Sequence, residues 1–337
     1  MTTRFRPRVL MSCFYDRSVI AAPLERLRTL ANVREVNRGR CLTEQELLES
    51  LPGIHAIIAA DEKYTPRVLD TAGDLMLIAR EGTGYDGVDV EAATERGILV
   101  TNAPVVHRAT ANLTIGLLIA LVRKLHVADQ DVREGRWAQR ERRTCPGLTE
   151  MTLGILGFGL VGREVAVRAA AMGMRILIYN RSDVSAAAQQ ISARTGSLGG
   201  VLERSDAISV HIRHSKETTN LLGKDRFRQM KRGAYFVNTS RGGIVDEGAL
   251  IEALTSGHLA GAALDVFAEE PPPADSPLLA LDNVICAPHM AGETTTTMRQ
   301  GVEMAVDQLC ACFAGKQPPN LVNPDAWDKA RLHDLRP

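Results

Sequence analysis

A chain of 337 residues is longer than the roughly 250 to 300 residues that one hydrophobic core supports, so two domains are expected. Apolar residues make up 45% and charged residues 24%, and 40 lysines and arginines balance 40 aspartates and glutamates, which excludes a strongly basic nucleic-acid binder and a polybasic membrane surface. No apolar run is long enough to span a bilayer, and MTTRFRPRVLMSCFYDRS lacks the apolar core of a signal peptide, so the expectation is a cytoplasmic protein with neither nucleic acid nor membrane as partner. Cys13, Cys41, Cys145, Cys286, Cys310 and Cys312 are scattered; only the last two are close, with no matching His or Cys cluster, so they read as reduced packing residues without a structural metal.

The first hundred residues alternate short strands and helices. Strands are expected at 8–13, 33–36, 55–60, 76–80 and 98–101, and helices at 23–31, 43–51, 65–72 and 90–96. Thr43 followed by Glu46 has the spacing of a capping box. Such alternation implies a parallel sheet, and hence a first small α/β domain. Between its last strands lies EGTGYDGVD, residues 81–89, whose Gly82, Gly84 and Gly87 suit either a plain glycine-rich connection or an anion cradle at the carboxyl edge of the sheet.

Residues 110–125, TANLTIGLLIALVRKL, form an apolar helix that can join two domains. DQDVREGRWAQRERRTCPG, residues 129–147, is polar and arginine-rich. It reads either as a solvated helix and loop or as a contact to a partner subunit through Trp137.

Residues 153–182, LGILGFGLVGREVAVRAAAMGMRILIYNRS, read as strand, turn, helix and strand. Gly157 permits a tight turn, Gly159 lets backbone approach a pyrophosphate, and Gly162 lets the helix pack closely on the strand, with the helix start offering its amides to phosphate. A G-x-G-x-x-G string alone is weak; with both strands and the helix in place it points to a dinucleotide. Strands then follow at 207–211, 234–238, 261–265 and 284–287, with helices at 225–229 and 246–256. A last helix at 294–313 and a tail from Pro318 return to the first domain. The expected architecture is α/β with two doubly wound parallel-sheet domains, a Rossmann-type cofactor domain at 104–292 inserted in a flavodoxin-like substrate domain at 1–103 and 293–337, with a cleft between them and an arm at about 123–150.

Three ionisable residues follow strands of the second unit: Arg241 in NTSRGGIVDE, Glu270 in ALDVFAEEP and His289 in CAPHMAG. Hydride transfer to a carbonyl carbon leaves an alkoxide, which needs a proton donor that titrates near neutrality; His289 suits this. Glu270 would favour the imidazolium and fix the ring, and Arg241 would polarise the carbonyl and pair with a substrate carboxylate. Singly, each residue could equally be a surface ion pair, a solvated acid or a structural histidine. Three complementary roles after successive strands favour catalysis.

GILGFGLVGRE, HIRHSKETTNLLG, FVNTSRGGIVDEGAL, GAALDVFAEEPPP and NVICAPHMAGET together resemble the D-isomer-specific 2-hydroxyacid dehydrogenase family, which includes phosphoglycerate dehydrogenases and glyoxylate/hydroxypyruvate reductases. The likeness covers nearly the whole chain. It implies Arg241, Glu270 and His289 as the catalytic set, and a homodimer built through the cofactor domains with Trp137 in an intersubunit arm. Cofactor contacts are implied for Gly157, Phe158, Gly159, Leu160, Val161 and Gly162, for Asn180, Arg181 and Ser182, for His211, Arg213 and Thr218, for Thr239, Ser240 and Arg241, and for Asp265, His289 and Gly292, with Asp265 near the nicotinamide amide. Gly82, Thr83 and Gly84, with Arg241 and His289, are the implied substrate contacts.

Departures from the family pattern refine this. Asn180, Arg181 and Ser182 stand where NAD-preferring relatives carry an aspartate for the ribose diol, which favours NADP(H) over NAD(H), although NAD(H) remains usable. Arg213 replaces a usual proline on the adenosine side. Ala60 replaces a phosphate-binding arginine, which argues against 3-phosphoglycerate, and no long extension follows the tail, so serine feedback is not expected. Asn112 replaces a usual acid, and Lys63, His107, Arg140, Arg142 and Arg143 read either as solvent-facing residues, the usual fate of such charges, or as a pocket for a second anionic group. The expected activity is reduction of a 2-oxo acid to the D-2-hydroxy acid, or the reverse. The alternatives are a dinucleotide-sensing, corepressor-like binding protein and a phosphite-type dehydrogenase; glutamate rather than glutamine at Glu270 speaks against formate dehydrogenase.

Overall fold

The computed structural model describes residues 6–13, 16–142 and 144–330. The chain divides into two compact units, Met1–Val106 with Glu293–Pro337, and His107–Gly292. In the first unit β1 (Arg8–Met11), α1 (Arg17–Leu30), β2 (Asn32–Glu35), α2 (Glu44–Ser50), β3 (Ala56–Ala59), α3 (Pro66–Thr71), β4 (Leu77–Arg80), α4 (Val90–Glu95) and β5 (Leu99–Thr101) alternate, and the strands pair in parallel in the order β2-β1-β3-β4-β5. That is the flavodoxin-like order.

Local chemistry sets the helix starts. At α2 the capping box forms as expected, with Thr43 Oγ1 accepting from the Glu46 amide at 3.3 Å and Glu46 accepting from the Thr43 amide at 2.8 Å. α1 begins six residues before Pro23, because Asp16 takes the Ser18 amide at 2.8 Å and caps the chain there. Pro23 then lies inside the helix, where it has no amide to donate to the preceding turn.

The second unit contains α5 (His107–Val122), α6 (Leu125–Arg133), β6 (Thr152–Leu156), α7 (Leu160–Ala171), β7 (Arg175–Tyr179), α8 (Ser185–Gln189), β8 (Arg194–Thr195), α9 (Leu198–Arg204), β9 (Ala207–Val210), α10 (Lys224–Gln229), β10 (Ala234–Asn238), α11 (Glu247–Thr255), β11 (Leu259–Leu264) and β12 (Val284–Cys286). All pairings are parallel, in the order β12-β11-β10-β9-β6-β7-β8. Strand order reverses at β6, which lies between β7 and β9, and ligands of such sheets bind at the carboxyl ends beside that reversal. The glycine turn after β6 and the segment after β9 both emerge there. The apolar helix expected to run through Leu125 stops at Val122 instead: Lys124 adopts φ 52°, and α6 departs at 61° from α5. α8, β8 and α9 had no counterpart in the sequence expectation, because SAAAQ and LGGVLER carry little hydrophobic periodicity.

The chain returns to the first unit as α12 (Thr295–Phe313). Alternate strand residues serve opposite faces of the sheet. Val9, Met11, Ala56 and Ile58 pack with Val302, Val306 and Leu309 of α12, whereas Leu10 and Ile57 pack with Leu47, Val68 and Ala92. In the second unit Leu153 and Ile155 join Ile115, Leu118 and Val165 on one face, and Leu156 and Ile208 join Val201 and Leu250 on the other. Among the described residues no single helix is long and apolar enough to cross a membrane.

Candidate active site

The three motif glycines differ in what surrounds them. A Cβ on Gly157, whose φ is 95°, would lie 2.5 Å from the His211 carbonyl oxygen, and one on Gly162 would lie 2.0 Å from the Gly157 carbonyl oxygen. Beside Gly159 nothing lies within 4 Å, and no side chain caps the start of α7 at that residue. Gly162 thus lets the helix close on the turn and Gly157 lets the turn approach the backbone after β9, while Gly159 leaves its face open.

Gly159 opens onto a pocket of about 850 Å³ wholly within the second unit. Of the residues proposed from sequence, Gly157, Asn180, Arg181, Ser182, His211, Arg213 and Thr218 line it with Gly159. Tyr179, Ile212, His214, Ser215, Glu217 and Leu221 also line it and were not anticipated, since only strand register and the path of the loop after β9 bring them there. Phe158, Leu160, Val161 and Gly162 are not in its lining; Phe158 is buried and Leu160 is exposed.

Asn180 is a latch. Its Oδ1 accepts from the Phe158 amide at 2.9 Å, while its Nδ2 donates to the Ser182 carbonyl at 3.0 Å and hydroxyl at 2.9 Å, tying the glycine turn to the end of β7. Arg181 and Ser182 stand exposed on the rim. Burial pushes the His211 pKa down to about 3, and its Nε2 lies 2.8 Å from Ser209 Oγ, so His211 forms a neutral wall and adds no positive charge. An open glycine, an uncapped helix start and an arginine rim fit the phosphates of a dinucleotide.

Arg241, Glu270 and His289 follow β10, β11 and β12. His289 Nδ1 lies 2.6 Å from Glu270 Oε2, and Glu270 Oε1 accepts from the Phe267 amide at 3.0 Å. Burial alone would raise the Glu270 carboxyl; its hydrogen bond to His289, the charge on that ring, the Phe267 amide and the Arg241 cation together outweigh burial and hold it below the ordinary value. Glu270 is therefore ionised at neutral pH. His289 itself takes φ 51°, an uncommon conformation for a side-chain-bearing residue. Asp265 imposes that turn: its carbonyl accepts from the His289 amide at 2.8 Å, and its carboxylate oxygens each accept at 2.9 Å, one from Met290 and one from Ala291. Asp265, which the family likeness places near the nicotinamide amide, uses both carboxylate oxygens to hold backbone of the histidine loop.

Other predicted contacts are also anchored. Thr239 Oγ1 lies 2.8 Å from Thr114 Oγ1 of α5, and Ser240 donates from its amide at 3.0 Å and its hydroxyl at 2.9 Å to Asn238 Oδ1. Asn238 Nδ2 donates to the Arg241 carbonyl at 3.0 Å, and Arg241 Nη1 donates to the Ser240 carbonyl at 2.7 Å. The approach to Arg241 is therefore set by neighbouring side chains. Gly292 closes the second unit just after the histidine loop.

Residues 115–291 match the family model described as D-isomer specific 2-hydroxyacid dehydrogenase, NAD binding domain. The chain belongs to that family. Members are oxidoreductases that act on CH–OH groups with a nicotinamide dinucleotide. It is 42% identical over 288 residues to a glyoxylate reductase of Thermococcus litoralis, covering 83% of this chain and 86% of that one. It is 43% identical over 293 residues to a D-3-phosphoglycerate dehydrogenase of Archaeoglobus fulgidus, covering 86% of this chain but 55% of that one, so it spans about half the length of that relative. A solved structure of an NADPH-dependent glyoxylate/hydroxypyruvate reductase from Sinorhizobium meliloti, in complex with NADP and malonate, superposes with a TM-score of 0.81 at 31% identity, covering 96% of this chain and 98% of that one.

Against the family pattern, Asn112 has a structural role here: its Oδ1 accepts from Arg168 Nε at 2.8 Å, joining α5 to α7, and Arg168 also pairs with Glu164. Ala60 is buried in the first unit, Lys63 is exposed there, and His107 opens α5. The side chains of Arg140, Arg142 and Arg143 lie outside the described residues.

Proposed function

We propose that the protein reduces a small 2-oxo acid to the D-2-hydroxy acid, with NADPH preferred to NADH. The observation that carries this reading is the ionised Glu270 paired with His289 on a loop that Asp265 holds in shape. The dinucleotide supplies the hydride for C2 of the oxo acid. Glu270, accepting from Nδ1, fixes the ring so that Nε2 is the nitrogen that delivers the proton to the developing alkoxide. Arg241 polarises the carbonyl, and the amides of Thr83 and Gly84 bind the carboxylate.

Arg181 and Ser182 on the pocket rim, with no acid at the end of β7, support the NADPH preference, as does the NADPH dependence named for the Sinorhizobium meliloti relative. Initial rates with glyoxylate, hydroxypyruvate and a branched 2-oxo acid, each with NADPH and NADH, test both points. Higher kcat/KM with NADPH is expected, and Arg181→Ser should lower it by about tenfold or more, the loss typical of a charged hydrogen bond, leaving NADH rates unchanged. Equal or better rates with NADH would end the cofactor assignment. NADPH binding without oxidation by any oxo acid would favour the dinucleotide-sensing alternative.

The arm supports self-association into a homodimer. Leu125, Val132 and Trp137 are 50%, 58% and 63% exposed on α6 and the turn that follows, and are the apolar side chains of the arm that a second copy would cover. Sedimentation should give twice the mass of the chain, and Trp137→Ala should shift it toward one; a single-chain mass for the unmodified protein would refute the assembly.

A further inference from the structure

We propose that Asn102 is a positioning residue for the substrate carboxylate, acting through the peptide that joins Thr83 to Gly84. The proposal rests on the reading above that this loop binds the carboxylate. It arises from how the first unit holds three successive loop carbonyls. Gly82 O accepts from the Ala103 amide at 2.9 Å, Thr83 O from Asn102 Nδ2 at 2.8 Å, and Gly84 O from Arg80 Nε at 3.0 Å.

In a trans peptide the C=O and the following N–H point in opposite directions. Holding these carbonyls against the body of the unit therefore turns the amides of Thr83 and Gly84 outward, on the same side. Among the described residues neither amide donates a hydrogen bond. Two adjacent outward amides with no acceptor are suited to the two oxygens of a carboxylate.

The three anchors are not equivalent. The Ala103 anchor is backbone. Arg80 is buried and also ties Ala59 O, at 3.0 Å, and the Asp61 carboxylate, so it holds β3 to β4 as much as it holds the loop. Asn102 is half-buried, and its side chain makes its bond to the loop, setting the peptide that carries the Gly84 amide.

Asn102 is in turn fixed from behind. Its carbonyl accepts from Gln308 Nε2 of α12 at 2.9 Å, and Gln308 Oε1 accepts from Thr101 Oγ1 at 2.7 Å, with both Gln308 and Thr101 fully buried. A buried glutamine on the returning helix thereby sets the strand end, the strand end sets Asn102, and Asn102 sets the amide. Close packing of α12 completes the support: a Cβ on Gly301 would lie 2.2 Å from the Glu81 carbonyl oxygen, immediately before the loop.

If Asn102 acts in this way, its loss should harm substrates that carry a carboxylate and spare those that do not. The test compares glyoxylate with methyl glyoxylate, using NADPH, for the unmodified chain, Asn102→Ala and Asn102→Asp. The second variant keeps the size of the side chain but turns an acceptor toward Thr83 O, so it should be at least as damaging. Both variants should raise KM for glyoxylate and lower the ratio of kcat/KM for acid over ester by about tenfold, the worth of one oriented hydrogen bond to a charged group. Their NADPH affinity, read by fluorescence titration, and their turnover of the ester should stay as in the unmodified chain. An unchanged acid-to-ester ratio, or an equal fall with both compounds, would overturn the proposal and leave Asn102 as a support of the fold. No turnover of either compound by the unmodified chain would instead defeat the functional reading, and the role of Asn102 with it.

Discussion

Replacing His289 by alanine is expected to lower kcat for 2-oxo acid reduction by about 10²- to 10⁴-fold, the range that a positioned proton donor contributes, while NADPH still binds. The size of the effect follows from the geometry. His289 is held at φ 51° by Asp265, and its Nδ1 is 2.6 Å from Glu270, so the ring is oriented by a carboxylate and alanine removes both the ring and that pairing. Single-turnover rates and NADPH titration on the same sample separate chemistry from binding, and near-normal turnover would remove His289 from the mechanism. Glu270→Gln carries a sign that can be checked. Reduction needs the protonated ring, and the ionised carboxylate favours that form; without it the proton is lost at lower pH. The alkaline limb of the reduction profile should therefore shift to lower pH, and an upward shift would show that the carboxylate does something else.

Gly242→Ala should be nearly as damaging without touching an ionisable group. A Cβ there would sit 1.9 Å from both the C and O of Phe267 and 2.4 Å from the Ala268 nitrogen, all backbone atoms that cannot rotate away. Gly242 directly follows Arg241, and Phe267 supplies the amide that binds Glu270 at 3.0 Å. Forcing the two segments apart thus displaces the arginine and the support of the glutamate together. Displacement on the order of 1 Å costs about a hundredfold in rate, and overpacking of this kind about 1 to 3 kcal/mol in stability. Steady-state kinetics and urea unfolding measure the two effects. A stable variant with normal kcat/KM would mean that the loops after β10 and β11 are not in register as described.

Several features were legible in the sequence because they depend on neighbours a few residues away. The capping box at Thr43, the alternation of strand and helix, and the glycine turn after β6 all come from local pattern. Other features were misplaced where one local signal outweighed another: Pro23 suggested a helix start, yet Asp16 caps α1 earlier, and the apolar run through Leu125 concealed the break at Lys124. The small, weakly periodic α8, β8 and α9 gave no signal at all. Arg241, Glu270 and His289 could be grouped from sequence because each follows a strand, and side chains at the carboxyl ends of adjacent parallel strands converge.

From the sequence by itself came the alternation of strands and helices outside the α8 to α9 stretch, a dinucleotide turn, three complementary ionisable residues and the missing acid at Asn180. Tertiary structure alone decided the partners. Asp265 holds the histidine loop, Asn180 latches the glycine turn to the end of β7, Asn112 joins α5 to α7 through Arg168, and Asn102 fixes a loop amide under the control of Gln308, which lies 206 positions further along the chain. The division has a physical cause. Helix caps and glycine turns are short-range and repeat wherever their residues recur, whereas a hydrogen bond between distant segments exists only once strand register and helix packing have brought its donor within about 3 Å of its acceptor.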